Sequence, residues 1–362
     1  MGSVLWILLC TGIVILVQAR LFSKQAFRGV SYERYFTKSK LYEGEEMELV
    51  EVIANRKLLP IPWIRIEARM PRQLQLTDLS DELEVEGDMY HRSSFTLAPY
   101  QRITRRHRIK CLARGYYVAE SAVMTSGDLF SLSTVSRKID FKNEVLVYPA
   151  PVQVQDLPLP SLKWQGDLVV KRYIMPDMFL YGGIRDYQMG DSIKSIHWGA
   201  SAATGTLKVK QNDYTAMPRL LIILNAQSSE SVWGENPKQD LPDLEEGVRI
   251  AASLSAYLIQ NGIEVGFASN GRYMQSEDTI YIEPACSSEQ NELLLDCFAR
   301  MRLFRQRSFH QFLTDLPVFK EMDVLVLTRY RSPLADDAAA DIVTRGNSLS
   351  YYMLGVQEGE TS

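Results

Sequence analysis

The chain has 362 residues, 46% hydrophobic and 23% charged, with a formal net charge of −4. This is close to the globular average and excludes disordered and fibrous classes, while the mild acidity argues against a general nucleic-acid binder. The cysteines at 10, 111, 286 and 297 form no C-x-x-C pair and stand at no metal spacing from a histidine, so neither a zinc site nor a disulfide scaffold is expected, and a reducing compartment suits them.

Met1 to Ala19 (MGSVLWILLCTGIVILVQA) carries no charged side chain, and all 40 Lys and Arg follow it. As a helix this run spans about 28 Å, against a bilayer core of about 30 Å. Residues 1–22 therefore read as a transmembrane anchor. Arg20, Lys24 and Arg28 follow at once, so the positive-inside rule predicts a single-pass cell-membrane protein with its soluble domains in the cytoplasm. The rival is a cleaved signal peptide ending near Val17 and Ala19, which would leave an extracytoplasmic binding protein; the lack of a basic n-region speaks against it.

Residues 23–40 are polar and basic, with Tyr32, Tyr35 and Phe36 among them, and read as a juxtamembrane linker. Residues 41–150 read as short strands: Glu46–Asn55, Trp63–Arg69, Ser94–Leu97, Arg102–Leu112, Gly115–Val118, Ala122–Thr125 and Glu144–Tyr148. After the first, the run LLPIP interrupts pairing because proline donates nothing to a ladder. The pattern predicts an antiparallel, Ig-like β-sandwich without the Cys…Trp…Cys mark of antibody domains. In residues 101–110, Arg106, Arg108 and Lys110 share one strand face. It reads as a solvated face rather than a nucleic-acid patch, since stacking aromatics are absent.

Residues 149–163 contain four prolines and read as a stiff linker. The linker region, 151–217, ends in a Gly- and Ser-rich segment, 181–210, with no sustained helical or strand period; such loops are usually functional. From 218 to 362 strand and helix alternate. Strands are predicted at Arg219–Asn225, Ile263–Ala268, Asp323–Thr328 and Ser348–Gly355, and helices at Pro242–Gln260, Glu289–Arg302 and Leu334–Thr344. This predicts an α/β domain with a mainly parallel sheet, whose default ligand site lies beyond the C-terminal strand ends, in the loops after Leu224 and Thr328.

Asp186, Asp191, His197 and Ser201 form an acid/base and nucleophile inventory, so a hydrolase using Asp191, His197 and Ser201 is the alternative to a non-enzymatic protein. No G-x-S-x-G elbow and no Walker A motif occur, so ATP use would come from a partner. His197 reads as a structural hydrogen-bonding residue, Trp198 as a buried anchor, Arg185 and Asp191 as an internal ion pair, and Lys208 and Lys210 as one side of a short strand.

One segment carries a family resemblance. Arg185-Asp186-Tyr187, Gly190-Asp191, Ile196-His197-Trp198, Ala200-Ser201-Ala202-Ala203-Thr204-Gly205 and Leu207-Lys208-Val209-Lys210 stand in the order of a known signature. That signature runs R-E-Y-x-x-G-D, I-D/H-W, A-S-A-R-T-G and L-x-V-K, and this sequence resembles the bacterial family called domain of unknown function 58. The resemblance implies N-terminal membrane spans, a β-rich middle region and a C-terminal domain similar to von Willebrand factor type A. It also implies partnership with a MoxR-type AAA+ ATPase, often beside a transglutaminase-like membrane protein.

The sequence departs from the family at three places. It offers one span where many members carry two, and Ala203 stands where the signature has Arg. Type A domains hold Mg²⁺ through D-x-S-x-S after the first strand. Here Asn225, Gln227 and Ser229 align with that motif, and Thr328 with Arg329 ends the later strand. Mg²⁺ takes hard oxygens, normally with a carboxylate, so a degenerate, unoccupied site and no cofactor are expected, although Glu230 is a displaced carboxylate. The sequence thus predicts an α+β multidomain protein: transmembrane helix, Ig-like β-sandwich, then von Willebrand A-like domain. Its expected role is that of a membrane-anchored adaptor or scaffold for a MoxR-type ATPase, with no nucleic-acid partner.

Overall fold

The computed structural model describes residues 2–77, 82–85, 88–128, 133–154, 157, 183–187, 196–211, 219–274, 276, 279–305 and 307–355. The protein is a mixed α+β chain with several sheets and, among the described residues, six helices. It divides into two compact units, one of residues 1–151 with 295–301 and one of residues 152–294 with 302–362.

The first unit opens with α1 (Gly2–Gln25). Val4, Trp6, Ile7, Leu8, Leu9, Ile13, Val14, Leu16 and Val17 on this helix are all exposed. Among the described residues its last turns are held: Ala19, Phe22 and Ala26 are buried, and Lys57 Nζ donates to the carbonyls of Gln25 and Ala26, both at 2.5 Å, placing a cation at the helix C-terminus. Among the described residues no helix is long and apolar enough to cross a membrane. On α1 the side chains of residues 2, 3, 5, 21 and 23 lie outside the described ones.

Ten strands follow: β1 (Val30–Phe36), β2 (Lys40–Tyr42), β3 (Glu46–Asn55), β4 (Ile61–Met70), β5 (Leu74–Leu76), β6 (Glu82–Val85), β7 (Asp88–Leu97), β8 (Arg102–Cys111), β9 (Gly115–Gly127) and β10 (Thr134–Tyr148). They form a four-stranded sheet, β1-β3-β8-β5, and a six-stranded sheet, β2-β10-β9-β4-β7-β6. Apart from the parallel β2–β10 pair, neighbours are antiparallel. Residues 30–36, expected in a linker, instead form an edge strand: Tyr32, Arg34 and Phe36 alternate toward the core and pair β3. Pro62 does not break β4 but sits at a register irregularity between Ile61 and Ile64, where a missing donor is tolerated. On β8, Arg106, Arg108 and Lys110 are exposed while His107, Ile109 and Cys111 are buried.

The inner faces of the two sheets meet in two apolar clusters. One gathers Leu49, Met70, Leu74, Ile109 and Val147; the other gathers Ile53, Ile66, Phe95, Leu97 and Met124. Along β3 the residue between Leu49 and Ile53 on that face is Glu51, fully buried.

In the second unit, β11 (Gly183–Asp186) and β12 (Lys208–Gln211) form an antiparallel pair flanking α2 (Trp198–Thr204). The segment read as a functional loop ending in a short strand is therefore organised in its described parts as two paired strands and a short helix. A larger sheet follows, from β13 (Arg219–Leu224), β14 (Glu264–Tyr273), β15 (Thr279–Ala285), β16 (Met301–Arg305), β17 (Asp323–Thr328) and β18 (Ser348–Met353). Its order is β15-β14-β13-β17-β18, with β16 also pairing β14; β14, β13, β17 and β18 are parallel and β15 runs antiparallel at the edge. Leu220–Leu224 and Val324–Thr328 are buried throughout, as a sheet covered on both faces requires.

Helix α3 (Leu241–Gln260) covers one face. Gly247 permits its close approach, because a Cβ there would come within 2.8 Å of Leu354 and 2.9 Å of Leu224. Helices α5 (Phe309–Asp315) and α6 (Pro333–Thr344) cover the other, packing Phe309, Phe312, Ala339 and Ile342 on Leu221, Ile223, Val324 and Val326. Between α3 and α5 in sequence lies α4 (Ser288–Arg300). The sequence predicted β13, α3, β17 and α6 within a residue or so, but not β15, β16 or α5.

Candidate functional site

In the signature, β11 and β12 place Asp186 directly opposite Lys208, and Lys208 Nζ reaches Asp186 Oδ1 at 2.6 Å. His197 is the N-cap of α2: its Nδ1 accepts from the Ala200 N–H at 3.0 Å. The Ser201 hydroxyl donates to the His197 carbonyl at 3.0 Å and accepts the Lys208 N–H at 2.8 Å, tying α2 to β12. Gly205 closes the helix at φ +70°, returning its N–H to the Ser201 carbonyl, in the left-handed region that favours glycine. The Tyr187 N–H donates to the Leu207 carbonyl at 2.9 Å. His197 and Ser201 thus work as capping and tying groups. Trp198, expected as a buried anchor, is 65% exposed: it occupies the first turn of a seven-residue helix that buries none of its residues. Gly190 and Asp191 lie outside the described residues, as do the side chains of Arg185 and Lys210, and with them the expected Arg185–Asp191 pair.

At the C-terminal ends of β13 and β17 the polar groups are turned on one another. Asn225, Gln227 and Thr328 are fully buried. Asn225 Oδ1 accepts from the Gln227 N–H at 3.1 Å and from Asn270 Nδ2 at 3.2 Å, while its Nδ2 donates to Thr328 Oγ1 at 3.1 Å. The Thr328 hydroxyl donates onward to the Tyr330 carbonyl at 2.7 Å. Gln227 Nε2 donates to the carbonyls of Ser229 and Glu230 at 2.5 and 2.9 Å, and Ser229 Oγ is 3.2 Å from Ser231 Oγ. Beside them, Arg329 reaches Asp240 Oδ1 through Nη1 at 2.6 Å and Asp243 Oδ2 through Nε at 2.8 Å. Asn225 Oδ1, with both lone pairs engaged, is a poor Mg²⁺ ligand, and Asp240 and Asp243 hold a guanidinium instead, while Gln227 Oε1 is left as a buried acceptor without a partner.

A third polar site lies inside the first unit, between its two apolar clusters. β1 places Arg34 opposite Glu51 of β3, β8 contributes His107, and β7 contributes His91 and Ser93 from the facing sheet. Glu51 is 0% exposed, His91 1% and His107 6%. Glu51 accepts from the Tyr32 hydroxyl at 2.6 Å and the Ser93 hydroxyl at 2.5 Å. His107 Nε2 is 3.4 Å from Glu51 Oε2, His91 Nδ1 is 3.7 Å from Oε1, and Arg34 Nη1 is 3.9 Å from Oε1. The two imidazoles meet edge to face, with centroids 4.7 Å apart. Burial pushes the Glu51 carboxyl up, but His107, His91, Arg34 and Ser93 outweigh it and hold the acid at about 2. Burial takes His91 down to about 4 against the opposing pull of Glu51, and burial together with Glu51 drives the Tyr32 phenol up.

Residues 183–290 match the model of a family described as Protein of unknown function DUF58. The chain carries a DUF58 region. The resemblance read from the signature is thereby borne out over those residues. No curated protein matches the sequence closely enough to count as a relative. Similar solved structures include the CARDB domain of a Pyrococcus furiosus protein, at 10% identity over 33% of this chain and 96% of that one, with a TM-score of 0.22. A PapD-like domain of human CEP192 follows at 13% identity, 34% and 87% coverage and a TM-score of 0.21. A non-cellulosomal cohesin from Archaeoglobus fulgidus has 10% identity, 32% and 91% coverage and a TM-score of 0.22. Scores this low carry no argument about fold or function.

The DUF58 region contains the signature and Asn225, Gln227 and Ser229, while the Glu51 cluster lies outside it. Sequence reasoning missed that cluster because it sought metal spacing within one segment, and these ligands come from three strands. A signal was nonetheless present: on alternating positions of EMELVEVIAN the inward face reads Met47, Leu49, Glu51, Ile53, an acid in an apolar row.

Proposed function

We propose that this protein is a membrane-anchored, non-enzymatic adaptor that docks a MoxR-type AAA+ ATPase through its DUF58 region, serving the assembly or maturation of a membrane or envelope complex. In this reading the first unit is an Ig-like β-sandwich and the second a von Willebrand A-like domain with a degenerate metal site. One observation carries it: the strand-end loops turn polar groups on one another, with both acceptor positions of Asn225 Oδ1 filled and Arg329 bound to Asp240 and Asp243. Such a face suits protein docking without Mg²⁺ and without a reaction. His197 and Ser201, engaged in capping α2 and tying it to β12, weigh against the hydrolase alternative. The exposed apolar side chains of α1 and the charge-free Met1–Ala19 run support the anchor, with the soluble units cytoplasmic. A transglutaminase-like membrane protein is a further partner on the family resemblance alone.

The test is affinity capture of the full chain from detergent-solubilised membranes, before and after Trp198→Ala. A stoichiometric AAA+ ATPase with the parent chain and its loss with the variant is expected. Absence of any ATPase from the parent capture sinks the adaptor reading, and undiminished capture by the variant removes Trp198 from the interface. Recovery of the full-length chain in the carbonate-washed membrane pellet checks the anchor.

A further inference from the structure

We propose that Glu51, His91 and His107 form a binding site for one divalent cation of the zinc class, buried between the two sheets of the first unit. Their ligand atoms all lie within 4.8 Å of one another. Glu51 Oε1 to His91 Nδ1 is 3.7 Å and Glu51 Oε2 to His107 Nε2 is 3.4 Å. Ligands about 2.0–2.2 Å from a tetrahedral ion stand roughly 3.4 Å apart, so small side-chain adjustments close the site. Two imidazoles and a carboxylate are a known donor set for zinc, leaving a fourth position for water.

The second observation is the state of the nitrogens. His91 Nδ1 and His107 Nε2 are buried and make no hydrogen bond, although both face an acceptor. Ser93 Oγ stands 3.5 Å from His91 Nε2, and because its own proton goes to Glu51 Oε2 the tautomer that suits this contact carries the ring proton on Nε2 and turns the Nδ1 lone pair toward the carboxylate. A lone pair facing an anion in a buried site needs a cation between them. A metal ion answers the same need. The Tyr32 and Ser93 hydroxyls occupy lone pairs that ligation does not require, and they orient the carboxylate as outer-shell partners do. His91 also lines a cleft of about 120 Å³ with Met70, Leu74, Leu76 and Tyr90, a route for entry.

Arg34 opposes the ion. Its guanidinium is 3.9 Å from Glu51 Oε1, and its Nε and Nη1 are themselves without hydrogen bonds. Before metal binds, Arg34 and Glu51 balance; afterwards the site carries excess positive charge, which a bound hydroxide reduces. Arg34 therefore weakens affinity, and its removal strengthens it.

The experiment uses the full chain in detergent, stripped with a chelator and titrated with Zn²⁺. One Zn²⁺ per chain with a rise in Tm is expected. X-ray absorption should show two imidazoles and light oxygen or nitrogen ligands at about 2.0–2.2 Å, with no sulfur. His91→Gln or His107→Gln should weaken binding more than about 100-fold, and Arg34→Met should tighten it about tenfold or more. Failure of the stripped chain to take up Zn²⁺, a sulfur-ligated ion, or uptake unchanged in both histidine variants would overturn the proposal. Should the variants misfold, the absorption spectrum of the parent chain decides.

Discussion

Two largely buried polar sites among the described residues are finished differently. At the ends of β13 and β17 Asn225 Oδ1 accepts two hydrogen bonds, its Nδ2 donates to Thr328 Oγ1 and Arg329 meets two carboxylates, while Gln227 Oε1 and Ser228 Oγ are left over. Between the sheets of the first unit, His91 Nδ1, His107 Nε2 and two Arg34 nitrogens are left without hydrogen bonds around a single carboxylate. A buried polar group left unmade costs about 1–3 kcal/mol and more beside a charge, so the neutral groups left over at the strand ends are a smaller burden than the unpaired nitrogens around Glu51. Residue types alone would assign the roles the other way. The strand-end loop occupies the place where its fold type binds ligands, and the sheet interior is ordinarily packing.

The harshest way to break this contrast is Glu51→Ala. It strips the anion from buried Arg34 and leaves the guanidinium uncompensated, at a cost of about 3–5 kcal/mol. Urea unfolding of the full chain should show a markedly lower midpoint for the transition of the first unit. A loss below about 1 kcal/mol would mean that water already solvates the cluster.

Acid titration sharpens the same point, with chelator present so that only protons compete. Glu51 is held at about 2 in the folded chain against an ordinary 4.5, so its contribution is fully present above pH 4.5 and disappears as pH falls toward 2. His91 is lowered to about 4 from 6.5; below pH 6.5 the unfolded chain takes up this proton first, and stability falls through that window as well. Together they predict a stability that declines from about pH 6.5 and collapses below 4.5, by roughly 3 kcal/mol for Glu51 alone. Glu51→Gln should flatten the lower limb.

At the strand-end site, Asn225→Ala leaves the Gln227 N–H and Asn270 Nδ2 without their shared acceptor, and a loss of about 2 kcal/mol is expected. The parent chain should show no Mg²⁺ or Mn²⁺ binding at this face by calorimetry. Micromolar affinity that vanishes with Asn225→Ala would erase the distinction between the two sites.

How much of this was legible depended on whether one strand or several had to be read. The bounds of β3 and β17 follow directly from their sequences, and period-two alternation on β8 separates outward Arg106, Arg108 and Lys110 from inward His107 and Ile109. The same rule marks Arg34, Glu51 and His91 as inward polar residues on three strands. Register and sheet pairing decide that they converge, and neither is written in any one segment. β1 escaped notice because its polar composition resembles a linker, and β15 and β16 because short antiparallel additions to a parallel sheet lack its continuous apolar runs.

Trp198 marks the limit of composition rules. An indole in a signature reads as an anchor, since burying one is worth several kcal/mol, yet here the ring is 65% exposed on a helix with no buried residues. Exposure of that kind contributes little to folding, so Trp198→Ala should shift the unfolding midpoint of the second unit by less than about 0.5 kcal/mol. If the exposed ring is a docking residue, capture of the ATPase drops while stability does not. A large loss of stability would instead show that Trp198 is covered by part of the chain itself, and the signature would then be a structural element like the strand-end loop beside it in sequence.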